Sequence, residues 1–237
     1  MTIYKKDYII IFGQIKKKGY ICSMVTIKKS ITSGIMIAMG VFAFLSCDVK
    51  YVGAFLFSLG LFCVCEYKLN LFTGMIGYVV ENTKSNGFNT ILDLLKALLF
   101  NILGIIATCI LLSLTAPEDT LDRAVNIVET SVTLSFVQLL IKSIMCGIIM
   151  IIAVDRYKSC IGIGKYIAIF VGIPVFILSG YYHSIAYVGY LTLGVCSGQL
   201  SSNVTISKII LVVLVAIIGN GIGSILMRYL TTDKHRD

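Results

Sequence analysis

The stretch Glu66-Tyr67-Lys68-Leu69-Asn70-Leu71-Phe72-Thr73-Gly74 lies in the middle of an apolar run of thirty residues, 51–80. Such a run is long enough to cross a bilayer as a helix, with residues to spare. Two charges, an Asn, a Thr and a Gly at that depth are costly unless they face protein or a water-filled cavity. A helix interrupted there can turn freed backbone N–H groups and the dipole of a helix end toward a permeating anion. A second interruption, Ser179-Gly180-Tyr181-Tyr182-His183-Ser184, stands inside another apolar run, 166–196.

Composition sets the class. The chain is 57% hydrophobic and 14% charged, with a mean hydropathy of +0.93, whereas soluble domains carry about a quarter charged residues. That much apolar surface cannot be hidden in a soluble core, so the chain reads as an all-α integral membrane protein. The eight Cys are scattered through apolar segments, and only Cys63-Val64-Cys65 is tight, with no His beside it. Metal sites use clustered Cys and His at short repeated spacings. These Cys therefore read as small buried apolar residues, and no metal or cofactor is implied.

Six apolar segments follow one another: 31–47, 51–80, 97–116, 131–154, 166–196 and 209–230. A polar loop at 81–93 carries turn chemistry at Asn86-Gly87, an acidic connection runs from Pro117 to Glu129, and the connection 155–165 is basic. The expected organisation is a basic N-terminal segment, 1–29, a six-span domain, 30–230, and a short tail, 231–237. Within the N-terminal segment the apolar patch 8–12 is too short to span. Translation from Met24 and an amphipathic helix lying on the membrane are both open readings of it.

Six spans put both termini on one side. The side that holds the termini carries fifteen Lys and Arg and the opposite loops three, Lys50, Arg123 and Lys208. That bias places both termini in the cytoplasm of a cell membrane. The net charge of +8 is thereby a topology signal, and nucleic-acid binding is set aside.

An odd number of spans per half inserts the two halves in opposite orientations. Interrupted segments at corresponding places, the second and the fifth, point to an inverted-repeat transport fold with its site where the interruptions meet. The competing reading is that Gly74 and Gly180 only kink helices for packing. His183 stands at the second interruption, where an ionisable group is a functional candidate, suited to hydrogen-bond an anion or lend it a proton.

Three blocks carry a resemblance to the formate/nitrite transporter family of weak-acid channels: Phe57-Ser58-Leu59-Gly60-Leu61, Leu71-Phe72-Thr73, and Ser179-Gly180-Tyr181-Tyr182-His183-Ser184-Ile185-Ala186. The last is similar to the family's S-G-x-x-H-S-I-A loop. The resemblance implies an aquaporin-like protomer with its own pore, assembled as a homopentamer, with helices 2 and 5 broken. It implies a central polar site at Thr73 and His183 and apolar collars at Phe57, Leu61, Leu71, Phe72 and Phe176. The implied activity is passage of small monovalent anions such as formate, nitrite or hydrosulfide, with no enzymatic reaction. A facilitator for a small neutral solute on the same fold is the alternative.

The chain departs from the family pattern at three places. Ser131 stands where a Lys is usual before the fourth span, Gly147 where a polar Asn is common in that span, and Tyr187 where an Asn follows the H-S-I-A motif. Lys142, eleven residues past Ser131, would share its face on a continuous helix. Lys142 or Lys68 is therefore expected to supply the missing positive field. Pairing with Glu66 or snorkelling is the competing role for these two.

Overall fold

The computed structural model describes residues 27–232. The expectations for the basic N-terminal segment and most of the tail lie outside the described residues. Among the described residues the chain is helical without a strand: α1 Ile27–Leu45, α2 Lys50–Glu66, α3 Phe72–Met75, a 3₁₀ turn Ile76–Tyr78, α4 Val79–Asn86, α5 Phe88–Ser113, α6 Glu118–Thr133, α7 Phe136–Ser159, α8 Gly164–Leu178, α9 Ser184–Ser197 and α10 Ile206–Thr231. Four of these, α1, α5, α7 and α10, are long and apolar enough to cross a membrane. The outward faces agree with that reading. Ile210, Leu214, Ile218, Ile222 and Leu226 lie exposed at every fourth position of α10, as do Leu95, Leu99 and Leu103 on α5. A stripe of that kind suits lipid and would be a liability in water.

Packing follows small residues. Helix α1 packs on α2 and α5, and α7 packs on α8 and α10; α2 lies against α8, and α9 against α5 and α6. At the α1–α5 seam, a side chain at Gly34 would run into the backbone of Asn101 and one at Gly104 into Ile31. At the α7–α10 seam, Gly147 stands in the same way against Asn220 and Gly223 against Ile144. Such contacts let helix backbones approach where no hydrophobic effect drives association.

Two segments differ from the sequence-based expectation. The polar loop 81–93 is helical on both sides of Gly87, whose φ of +49° makes the turn between α4 and α5. The acidic connection folds as α6, which packs on α9 and buries Thr120, Ala124, Val125, Val128 and Ser131. Its charges mask a helical stripe, and Glu118 and Asp119 suit the positive end of the helix dipole. Because Leu134 at the end of α6 is extended, Ser131 and Lys142 do not share one continuous helix. The expectation that they face the same way along a single helix is therefore corrected.

Two Asn residues bind the scaffold to the segments between helices. Asn101 and Asn220 are each fully buried. Asn101 donates to the carbonyls of Ser30 and Asn70 at 2.8 Å and accepts from the Phe72 N–H at 2.8 Å. Asn220 donates to the carbonyls of Ser143 and Tyr182 at 2.8 Å and accepts from the Ser184 N–H at 2.8 Å. Replacing either by Leu leaves buried backbone groups unpaired, at about 1–3 kcal/mol each. Asn101→Leu and Asn220→Leu are expected to lower the thermal unfolding midpoint in detergent by similar amounts, well beyond a Leu99→Ala control on the exposed face. Midpoints equal to that control would show the bonds to be dispensable.

Candidate functional site

The site is built where α2 gives way to α3 and α8 to α9. Both first helices end in the same motif. After α2, the Tyr67, Lys68 and Leu69 N–H groups donate to the carbonyls of Cys63, Cys65 and Val64 at 3.0, 3.2 and 2.9 Å. After α8, Ser179, Gly180 and Tyr181 donate to Val175, Ile177 and Phe176 at 3.0 Å each. The final bond of each set closes a left-handed helix end, normally a Gly position. Gly180 fills it at φ +65°, whereas Lys68 fills it at φ +51°, the one non-Gly residue with positive φ among the described residues.

The chain then re-enters a helix under Asn control. Phe72 and Ser184 give their N–H groups to Asn101 and Asn220, so these two donors face protein rather than a permeating anion. In α9, His183 caps the new helix, its Nδ1 accepting from the Ala186 N–H at 3.1 Å. That bond assigns the neutral imidazole's proton to Nε2. Nε2 lies 2.8 Å from Thr73 Oγ1 and donates to it, leaving the Thr73 hydroxyl hydrogen as a donor for another partner. Thr73 is fully buried and His183 nearly so.

Of the expected collar residues, Phe176 touches this pair directly. Phe57, Leu61, Leu71, Phe72 and Phe176 are all buried. The Phe176 ring stacks on His183 with centroids 5.9 Å apart, and its own edge-to-face partner at 5.7 Å is Phe57. Leu71, Leu61, Phe57 and Phe176 belong to one apolar core.

Two cavities approach the pair from opposite ends. One, of about 320 Å³, reaches Phe176 and His183 and is lined by Lys50 and Lys142 but by no carboxylate. The other, of about 610 Å³, reaches Leu71 and Gly74 and is lined by Lys68, Lys158 and Lys165, again without a carboxylate. Lys142 and Lys68 thus serve different cavities. Lys142 donates to the Gly180 carbonyl at 3.2 Å, beside His183. Glu66 is held by Lys165 at 3.8 Å and by the Tyr157 hydroxyl, which corrects the reading of Glu66 as the partner of Lys68.

The departures from the family pattern have physical reasons. Ser131 and Tyr187 meet, their hydroxyls 2.6 Å apart in a buried contact, so a neutral pair occupies the wall where the Lys was expected. Gly147 abuts the Asn220 backbone, and any larger side chain there would push α10 away. Sequence reasoning missed Asn101 and Asn220. Their signal was an Asn followed by Gly three residues later in two otherwise apolar segments, Asn101 to Gly104 and Asn220 to Gly223.

A helical membrane protein with lysine-lined cavities closing on a buried Thr–His pair belongs among transport proteins. The family model described as formate/nitrite transporter matches residues 9–232, and the chain belongs to that family; its activity is membrane transport of small anions. Among solved structures, an "FNT family ion channel" has a TM-score of 0.76 at 21% identity, covering 87% of this chain and 90% of its own. A "pentameric formate channel with formate bound" has a TM-score of 0.75 at 18% identity, covering 86% and 93%. No curated protein matches by sequence.

The Ser131–Tyr187 contact is testable by a double-mutant cycle. Ser131→Ala and Tyr187→Phe are each expected to destabilise the protein, and the double variant by less than their sum, with a coupling of about 0.5–1.5 kcal/mol. Additive losses in thermal unfolding would show that the hydroxyls do not interact.

Proposed function

We propose that the chain is a channel in which small monovalent weak-acid anions of the formate and nitrite kind pass between the two cavities by way of Thr73 and His183. The observation that carries this reading is the paired vestibules, both lined by Lys without carboxylate. One reaches His183 and the other Leu71 and Gly74, on either side of Thr73 in sequence, with Thr73 and His183 in hydrogen-bond contact between them. Lysine ammonium groups concentrate anions at each mouth. Leu71 and Phe176 make the passage between them dry, where a bare charge is costly. Thr73, free to donate while His183 holds its oxygen, replaces part of the anion's hydration.

The architecture proposed is six spans in two inverted halves. Helix α2 and the α3–α4 stretch form one broken span, and α8 and α9 the other. Support comes from the matching helix ends, from Asn101 and Asn220 making like bonds, and from the parallel glycine seams. With the excess of Lys and Arg inside, both termini are cytoplasmic, the Lys68 cavity faces the cytoplasm and the Lys142 cavity the outside. Lys142, held at the Gly180 carbonyl, supplies the outer positive field that Ser131 lacks. The assembly is a homopentamer with a pore in each protomer; a structure of similar fold is a pentameric formate channel.

His183 orients Thr73 and does not give up the proton. With Nδ1 engaged as an acceptor, its single ring proton is on Nε2, and losing it would leave an imidazolate. The anion is therefore neutralised by hydronium in the vestibule, in the equilibrium set by the pH of the entry side. The alternative, a neutral-solute facilitator, has no use for lysines at both mouths.

Reconstituted protein is expected to pass formate and nitrite but not glycerol. Uptake should rise as pH falls on the entry side, since the neutral acid crosses the dry passage more cheaply. Thr73→Val, which removes the donor and keeps the shape, should lower flux by roughly tenfold or more, the scale of one hydrogen bond to a charged group. His183→Asn should lower flux while keeping the wild-type pH dependence; loss of that dependence would move the proton onto His183. Glycerol flux matching formate flux would favour the alternative. Lys142→Gln should reduce flux most at low ionic strength, where its field is least screened.

A further inference from the structure

The larger cavity holds more positive charge than a small monovalent anion needs. Lys68, Lys158 and Lys165 line about 610 Å³ that ends on Leu71 and Gly74. Aromatic rings set the direction of two of these ammonium groups: Lys158 lies 4.0 Å over the Tyr78 ring, and Lys165 lies 4.5 Å over Tyr166 and 5.0 Å over Tyr157. An aromatic face steers a cation without cancelling its charge. Asp155 and Glu81 lie close enough to Lys158 to act on it electrostatically, but both are ion-paired to Arg228 rather than to Lys158. Asp155 takes Arg228 at 2.6 Å and the Tyr78 hydroxyl at 3.0 Å, and Glu81 takes Arg228 at 2.7 Å. Among the described residues only Glu66 forms an ion pair with a lining Lys, at 3.8 Å from Lys165 on the partly exposed rim.

Lys68 adds a second, independent observation. Its backbone is left-handed at φ +51°, and the like position of the other helix end is Gly180 at φ +65°. A Cβ in that conformation costs about 1–2 kcal/mol. At the Gly180 end, where the backbone bears no side chain, an ammonium arrives from α7 as Lys142. At the Lys68 end the strained residue itself carries the ammonium into the cavity. A side chain kept at a position that disfavours it points to a role for that side chain.

We propose that this cavity is a binding site for a soluble polyvalent oxyanion, an oligophosphate or tricarboxylate, which seats on the three ammonium groups and blocks the pore from the Lys68 side. A ligand with two or more charges engages several lysines at once. The same charge bars it from the dry passage beyond Leu71, so it stops at the mouth. Monovalent substrate competes for the same groups, and high substrate relieves the block. The inference rests on the channel reading and assigns to that pore a class of ligand that it does not conduct.

The test uses full-length protein, with inorganic triphosphate and citrate as probes. Calorimetry on detergent-solubilised protein should show saturable binding of at least one of them, weakening as salt rises. Lys68→Gly removes an ammonium and at the same time relieves the backbone, so its unfolding midpoint should hold or rise while binding falls about tenfold, one charged contact's worth. Lys165→Gln should weaken binding without the gain in stability. In proteoliposomes, formate efflux should be blocked by the bound probe from one face only, with the half-blocking concentration rising in Lys68→Gly. Binding that is absent, binding unchanged by Lys68→Gly, or binding without block would each overturn the proposal. Absence of formate flux in unblocked vesicles would instead count against the channel reading, and the calorimetric result stands apart from it.

Discussion

A membrane interior offers backbone groups no water, so a helix that stops at bilayer depth must find partners within the protein. Here two buried amides supply such partners where α2 gives way to α3 and α8 to α9. Each side-chain carboxamide offers one acceptor and two donor hydrogens, and each spends them on the same three kinds of group: a carbonyl of the neighbouring helix, a carbonyl just before the new helix, and the N–H that opens it. Asn101 does this for Phe72 and Asn220 for Ser184. Without them, the left-handed helix ends, the Thr73–His183 contact and the two cavities would have no fixed frame. The glycine seams serve the same end, since only backbones packed this closely put one amide within reach of three partners.

On the channel reading, the charges separate attraction from passage. Ammonium groups stand in both vestibules, while the space between holds a neutral hydroxyl–imidazole pair and apolar rings. A cation placed within the constriction would hold an anion there and slow its release. Placed at the mouths, it raises local concentration and leaves the centre weakly binding. The Ser131–Tyr187 pair is neutral, and the ammonium in the cavity that Tyr187 lines comes from Lys142 on another helix.

Much of the site could be read from the sequence because polarity at bilayer depth is conspicuous. Thr73 and His183 stand out from apolar surroundings, and the structure puts them 2.8 Å apart. Other features are hidden for identifiable reasons. Helix α6 is amphipathic and acidic, so its apolar stripe never forms a run, and the break after it at Leu134 undid the inference that Ser131 and Lys142 share a face. Asn101 and Asn220 look like single polar intrusions in long spans, and their meaning depends on a partner more than thirty residues away in each case. The tautomer of His183 depends on the Ala186 N–H, a bond that no residue pattern announces.

The glycine seams also bear on tempo. Where Gly34, Gly104, Gly147 and Gly223 leave no room between backbones, helices cannot slide or rock past one another without separating. Motion within such seams is left to side chains, which change rotamer in picoseconds to nanoseconds when exposed and more slowly when packed. On the channel reading, such a frame suits a fixed route opened by side chains better than a rocking of whole helices between inward and outward states.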